Sequence, residues 1–166
     1  MSVYVYVAGP LFSEAERDYL EKMMEKLAHY CGLNPISNFF LPHRDGGELG
    51  KGPPRKHIFA LDMGKIRSAD IVVALLDGQD SDSGTCVELG YAYALNKKIF
   101  GLLTDFRSYR TNNLEPHRPN LMIWGVCENG NTLHNSLESL MYAFSEYVNN
   151  KSRLPNKDVA SSVKEI

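Results

Sequence analysis

Six carboxylates, Asp62, Asp77, Asp80, Asp82, Glu88 and Asp105, are the acidic groups expected near one rim of the fold. Two or three carboxylates around one pocket suit glycosyl transfer: one attacks or stabilises the anomeric carbon, and another manages the proton on the leaving group. Glu88 is the carboxylate most strongly marked for a chemical role. The stretch from Asp80 to Ala92 follows the apolar run Ile71–Leu76 and opens a segment predicted to be helical through Leu95. In that helix Glu88 has Gly84 and Thr85 one turn before it and Tyr91 and Ala92 one turn after it. A carboxylate on so apolar a face is costly unless it has a chemical role or a partner, and neighbouring helical positions offer no Lys or Arg. Asp62 shares a predicted face with Ile58, Phe59 and Ile66; Lys65 or Arg67 could pair with it, or it could serve a site. Asp80 and Asp82 read equally as loop and cap residues, Asp82 less so. Tyr6 lies close to the rim, although a core aromatic is the commoner role for such a residue. Asn120 reads as a turn residue and Met122 as core packing.

These side chains need elements to position them. Val3–Ala8 is predicted as a first strand, ending at Gly9-Pro10. Ser13 and Glu16 have capping-box spacing, and Ala15, Tyr19, Met23 and Leu27 mark the buried face of a first helix that stops at Gly32. Leu33–Ile36 reads as a short second strand, and Leu41–Pro54 as irregular chain. Lys56–Arg67 is predicted as a helix, Asp70–Leu76 and Ile99–Leu103 as strands three and four, and Met122–Val126 as a short fifth. The helix carrying Glu88 ends near Asn96-Lys97-Lys98. Arg107–Pro119 reads as a loop, and Leu133, Leu137, Leu140, Met141, Phe144 and Val148 outline a last helix. The alternation predicts an α/β, flavodoxin-like (Rossmann-like) domain: a five-stranded, mostly parallel sheet with helices on both faces. Ligands then bind beyond the carboxyl ends of the strands, at the switch in strand order. The organisation expected is one domain over residues 1–149 and a mobile polar tail over 150–166.

Composition narrows the function classes. The chain has 166 residues, 43% of them apolar, and a net charge of −2. That size and apolar share suit one real core, and that charge gives no reason to expect a nucleic-acid polymer or an anionic membrane as partner. No apolar run approaches the ~20 residues of a membrane span, and the N-terminus reads as a strand without a signal peptide's basic start. Cys31, Cys86 and Cys127 show no CxxC pattern and sit among apolar residues, so they are expected to be reduced and buried, as in a cytoplasmic protein. Five scattered histidines lack metal-ligand spacing, so no metal is expected. There is no GxGxxG and no GxxxxGK[ST], hence no dinucleotide fingerprint or P-loop.

Several segments together resemble the nucleoside 2-deoxyribosyltransferases: Val5-Tyr6-Val7-Ala8-Gly9-Pro10-Leu11-Phe12, Ala69–Ala74, Asp82-Ser83-Gly84-Thr85 with Glu88–Ala92, and Asn120-Leu121-Met122. They occur in the family's order and run from Tyr4 to about Trp124. The resemblance implies a pentosyltransferase of nucleotide salvage that exchanges bases on 2′-deoxynucleosides with retention and without a cofactor. It implies Glu88 as the covalent nucleophile and Tyr6 as the hydroxyl that orients it. Asp62 and Asp82 would bind and protonate the base or hold the sugar, with Gly9 and Ser83 as further substrate-binding positions. Asn120 and Met122 would be lent by a neighbouring subunit, in a homo-oligomer (dimer or hexamer) with shared sites. The expected partners are 2′-deoxynucleosides and free nucleobases. Related deoxynucleotide N-hydrolases share the first turn and the Glu helix, so hydrolysis of deoxynucleosides or their 5′-monophosphates is the alternative; Asn120-Leu121-Met122 favours the transferase. A non-catalytic nucleotide-sensing module is the alternative of another class. The Leu41–Pro54 loop, with His43, Arg44 and Asp45, has no family match and is expected to border the base.

Overall fold

The computed structural model describes residues 3–47, 52–105 and 119–153. Strand β1 (Val5–Ala8) leads through Gly9-Pro10 into helix α1 (Glu14–Cys31). Ser13 and Glu16 form the reciprocal capping box, and Gly32 ends the helix in the left-handed conformation at φ 64°. Strand β2 (Phe39–Phe40) precedes a single helical turn, α2 (Pro42–Asp45), and then α3 (Arg55–Ser68). Strand β3 (Ile71–Leu75), helix α4 (Ser83–Ala94) and strand β4 (Lys98–Leu102) follow. The chain closes with α5 (Leu121–Val126), β5 (Leu133–His134) and α6 (Leu137–Arg153).

All five strands are parallel, in the order β2-β1-β3-β4-β5. This is the doubly wound flavodoxin-like order, whose reversal lies between β1 and β3. Side chains alternate across the sheet. Val5 and Val7 of β1 join the core built with α1 and α6, whereas Tyr6 and Ala8 face the opposite core, built with α3, α4 and α5. That parity puts Tyr6 on the same side of the sheet as Glu88. Among the described residues no helix is long and apolar enough to cross a membrane.

Several expectations need correction. The second strand is not Leu33–Ile36. There the Asn34 side chain accepts from the amides of Ile36 and Ser37, and Asn38 accepts from Asn34 N and donates to Val3 O. These local bonds hold a turn, so pairing begins at Phe39. Met122–Val126 is helical because Asn120 caps it, accepting from Met122 N; a short apolar run alone does not separate helix from strand. Leu133 belongs to the true fifth strand, paired with Gly101, and the last helix starts after Ser136, whose hydroxyl accepts from Ser139 N. On α1, Ala15 is exposed and Tyr19 only partly buried, while Leu20, Met24 and Ala28 join Met23 and Leu27 in the core. Pro42–Asp45 forms a regular turn inside the stretch expected to be irregular. The three cysteines are free, but only Cys127 is fully buried. Helix α6 continues to Arg153, past the start of the expected tail, whose remainder lies outside the described residues, as does most of the Arg107–Pro119 loop.

Candidate active site

The chain leaves β1 toward α1 on one face of the sheet and leaves β3 toward α4 on the other. A cleft of about 650 Å³ opens beside this divergence. Gly9, Asp62, Asp82, Gly84, Thr85 and Glu88 line one part of it; Arg17, Asp18 and Glu21 of α1 and His43 and Arg44 of α2 line another. Gly9 is required where the walls meet: a Cβ there would lie 2.8 Å from Leu20 Cδ2 and 3.1 Å from Leu75 Cβ.

Tyr6 is fully buried, stacks on Phe40 with ring centroids 5.6 Å apart, and donates its hydroxyl to Glu88 Oε1 at 2.6 Å. Burial, then the charges of Glu88 and Asp62, push the Tyr6 phenol far above its ordinary range, so it stays a hydrogen-bond donor. Burial pushes the Glu88 carboxyl up to about 7; the Tyr6 bond opposes that rise, and the Asp62 and Asp82 charges add to it. Burial also pushes Asp62 up to about 6. Its Oδ1 is sealed from solvent with no hydrogen-bond partner. The cations that could have paired with it are engaged elsewhere. Lys65 sits over the rings of Tyr4 and Phe40, at 5.5 and 5.2 Å, and Arg67 donates to the Tyr91 hydroxyl.

Two carboxyls with raised affinities share this cleft, and the pair holds a proton near neutral pH. Glu88, pushed to about 7, holds that proton more tightly than Asp62 at about 6, and the Tyr6 bond, by favouring the charged form of Glu88, narrows the gap so that the proton can pass to Asp62. An ionised carboxylate beside a neutral carboxylic acid is an arrangement that can attack a carbon and protonate its leaving group. Among the described residues no group of three or more His, Cys, Asp or Glu side chains is placed to hold a metal ion.

The model of the family described as nucleoside 2-deoxyribosyltransferase matches residues 5–151. The chain belongs to the nucleoside 2-deoxyribosyltransferase family. An uncharacterized protein of Ureaplasma parvum is 32% identical over 123 residues, covering 67% of this chain and 76% of its own. A conserved protein from Enterococcus faecalis superposes with a TM-score of 0.73 at 25% identity, over 89% of this chain and 99% of that one. A deoxyribosyltransferase from Leishmania mexicana shares the fold at a TM-score of 0.64 and 22% identity, over 87% of this chain and 98% of its own.

Within this family member, the residues predicted from sequence divide into two groups. Gly9, Asp62, Asp82 and Glu88 meet at the cleft, with Tyr6 bonded beneath. Asp82 is also the cap of α4, its Oδ2 accepting from Thr85 N at 2.9 Å and Thr85 Oγ1 at 3.1 Å. Ser83 is exposed and does not line the cleft. Asn120 and Met122 are exposed on α5, also outside it, and Met122 is not the core residue that its apolar run suggests. Asp77 serves the scaffold. It accepts from the Thr104 amide and hydroxyl and from Asp105 N, tying the exit of β4 to that of β3. Sequence reasoning missed the α1 wall. Arg17, Asp18 and Glu21 lie within about one turn of each other, but a polar helix face reads as solvated. Arg17 donates to the carbonyls of Leu11 and Phe12, at 2.9 and 3.1 Å, and so braces the loop after Gly9.

Proposed function

We propose that this protein exchanges purine and pyrimidine bases on 2′-deoxyribonucleosides through a covalent 2-deoxyribosyl–Glu88 intermediate, with net retention. The observation that carries the reading is the Tyr6–Glu88 hydrogen bond of 2.6 Å beside the sealed, unpartnered Asp62. In the first step the Glu88 carboxylate forms a bond to C1′ as the C1′–N bond breaks, and Asp62 gives its proton to the departing base. In the second, a nitrogen of the incoming base attacks C1′, the Glu88–C1′ bond breaks, and the proton lost by that base returns to Asp62. Two displacements at one carbon give retention. Neither step calls on a cofactor. Gly9 and Asp82 then border the sugar.

The charge of the cleft favours nucleosides over 5′-monophosphates. Asp18, Glu21, Asp62, Asp82 and Glu88 line it. Its two arginines are already committed: Arg17 to the Leu11 and Phe12 carbonyls, Arg44 to Asp45 and the carbonyls of Pro35 and Phe39. Among the described residues lining the cleft, a phosphate dianion would meet carboxylates and no uncommitted guanidinium.

Asn120 and Met122 fit a shared site. Leu121 and Met122 are 72% and 73% exposed, side by side, on a helix that does not reach its own cleft. A homo-oligomer, dimer or hexamer, would cover them and lend Asn120 and Met122 to a neighbour's sugar. Free cysteines suit a reducing cytoplasm and a role in nucleoside salvage. The test is to incubate the protein with thymidine and adenine and separate the products. Deoxyadenosine plus thymine is expected. Free deoxyribose without deoxyadenosine would replace the transferase reading with hydrolysis, and no reaction would overturn both.

A further inference from the structure

The His43-Arg44-Asp45 turn is the one motif that the proposed chemistry leaves unused, and its bonds tie it down on two sides. Toward β2, Arg44 donates to the carbonyls of Pro35 and Phe39 and to the Asp45 carboxylate, and Asp45 accepts from Leu41 N. Toward α1, His43 Nε2 meets Glu21 Oε1 at 3.0 Å. The His43 side chain is only 9% exposed and its Nδ1 has no partner, so the Glu21 bond is the hydrogen bond that holds this ring among the described residues. The turn closes at Gly46, whose amide donates to Pro42 O at 2.8 Å. A Cβ built on Gly46 would lie 3.7 Å from Asp62 Oδ1. The turn therefore sits directly over the sealed oxygen of Asp62.

We propose that the Glu21–His43 bridge is a positioning device: it clamps the Pro42–Gly46 turn down on Asp62, keeps that carboxyl dry, and so sets how strong an acid the site holds. This rests on the reading of Asp62 as the site's proton donor. The groups that face Asp62 are Tyr6 from β1 and Glu88 from α4, both of which feel its charge. On its own helix Lys65 is turned to the Tyr4 and Phe40 rings, and on α2 the Arg44 and Asp45 charges are paired with each other. None of these neutralises Asp62. Burial is the cause of its raised affinity, and the turn supplies part of that burial. Without Glu21, His43 would keep a buried ring with both nitrogens unpaired, which favours swinging the turn outward and admitting water. Water at Asp62 would stabilise its charged form.

The test uses Glu21→Ala, a change at a half-exposed side chain, and Gly46→Ala, whose Cβ would lie 2.6 Å from Pro42 O and must displace the turn. The Asp62 carboxyl is followed by carbon-13 NMR as a function of pH, with its signal assigned from Asp62→Asn. In each variant its midpoint should fall by roughly half a unit to one unit, and the acid limb of kcat/KM, which follows the more acidic member of the Asp62–Glu88 pair, should move to lower pH with it. Asp62→Asn should abolish that limb, and in that background Glu21→Ala should leave the residual pH profile unchanged. An unchanged Asp62 midpoint in both folded variants would overturn the proposal, as would a loss of kcat/KM that is uniform across pH. The NMR titration needs no turnover. A wild type inactive on thymidine and adenine would therefore sink the transferase reading while leaving the clamp to be judged by the midpoint.

Discussion

Replacing Glu88 by Gln should inactivate the protein and stabilise it, by an amount that depends on pH in a defined direction. The Glu88 carboxyl is pushed from 4.5 to about 7, mainly by burial. A raised carboxyl means that the folded protein holds a proton which the unfolded chain has already released. Wild-type stability from this group is thus intact below pH 4.5 and falls as pH rises toward 7. At ~1.4 kcal/mol per unit, the loss is about 3 kcal/mol by pH 8. Gln keeps the size and still accepts from Tyr6, but it has no charge to bury. The stability difference between Glu88→Gln and wild type should therefore grow by about 3 kcal/mol between pH 4.5 and pH 8. Apart from Asp62, which is coupled to Glu88 through its charge, the other titrations are nearly common to both proteins, so paired urea denaturation at several pH values reads chiefly the burial of Glu88. By melting temperature the gain at pH 8 would be roughly 6–12 °C for a chain of this size. A difference that stays constant across that range, or one that shrinks as pH rises, would refute the argument that the cleft desolvates Glu88.

The other expectations concern rate and assembly. Asp62→Asn preserves shape but carries no transferable proton, so kcat/KM for thymidine and adenine should fall by ~10²-fold or more; Tyr6→Phe removes one hydrogen bond worth ~1–3 kcal/mol and should fall less. The pH profile of kcat/KM should be a narrow bell, with limbs near 6 and 7 that belong to the Asp62–Glu88 pair. It declines on the acid side as the pair takes up a second proton, near 6, and on the alkaline side as it loses its last, near 7; Tyr6→Phe should move the alkaline limb upward, because the Tyr6 bond lowers Glu88, the tighter holder of that last proton. Mixing inactive Glu88→Ala with inactive Asn120→Ala subunits under exchange conditions should restore activity in hybrids; no recovery, with exchange demonstrated, would place Asn120 in its own chain's service or in packing alone.

The parts of the fold legible in the sequence are those with a local cause. The capping box at Ser13 and Glu16, the stop at Gly32, and the long apolar strands at Ile71 and Ile99 each announce themselves within a few residues. The misplaced pieces depend on competition between near-equal local options. Asn34 and Asn38 divert the chain into a turn before Phe39, and Asn120 converts a strand-like run into a helix. The acidic centre is legible at Glu88, where a carboxylate on an apolar face has no Lys or Arg at neighbouring helical positions; at Asp62 the sequence offers Lys65 and Arg67, and only the fold shows both engaged elsewhere. The Glu21–His43 wall is not legible, since two polar residues 22 positions apart reveal nothing until the fold joins them.

Helix α4 has a consequence for how catalytic competence is tied to folding. Its sequence, Ser-Gly-Thr-Cys-Val-Glu-Leu-Gly-Tyr-Ala-Tyr-Ala, contains two glycines, a threonine and a valine in 12 residues. Such a segment has little tendency to be helical alone, because nucleation is unfavourable and its propensities are poor. It exists because it is wedged against β1, β3, β4, α3 and α5. Glu88 therefore lacks a local scaffold that could survive partial loss of structure. Amide protons along α4 should exchange only in the global opening event, together with those of β3. Enzymatic activity would then report the intact population directly, with no partly unfolded species still able to turn over.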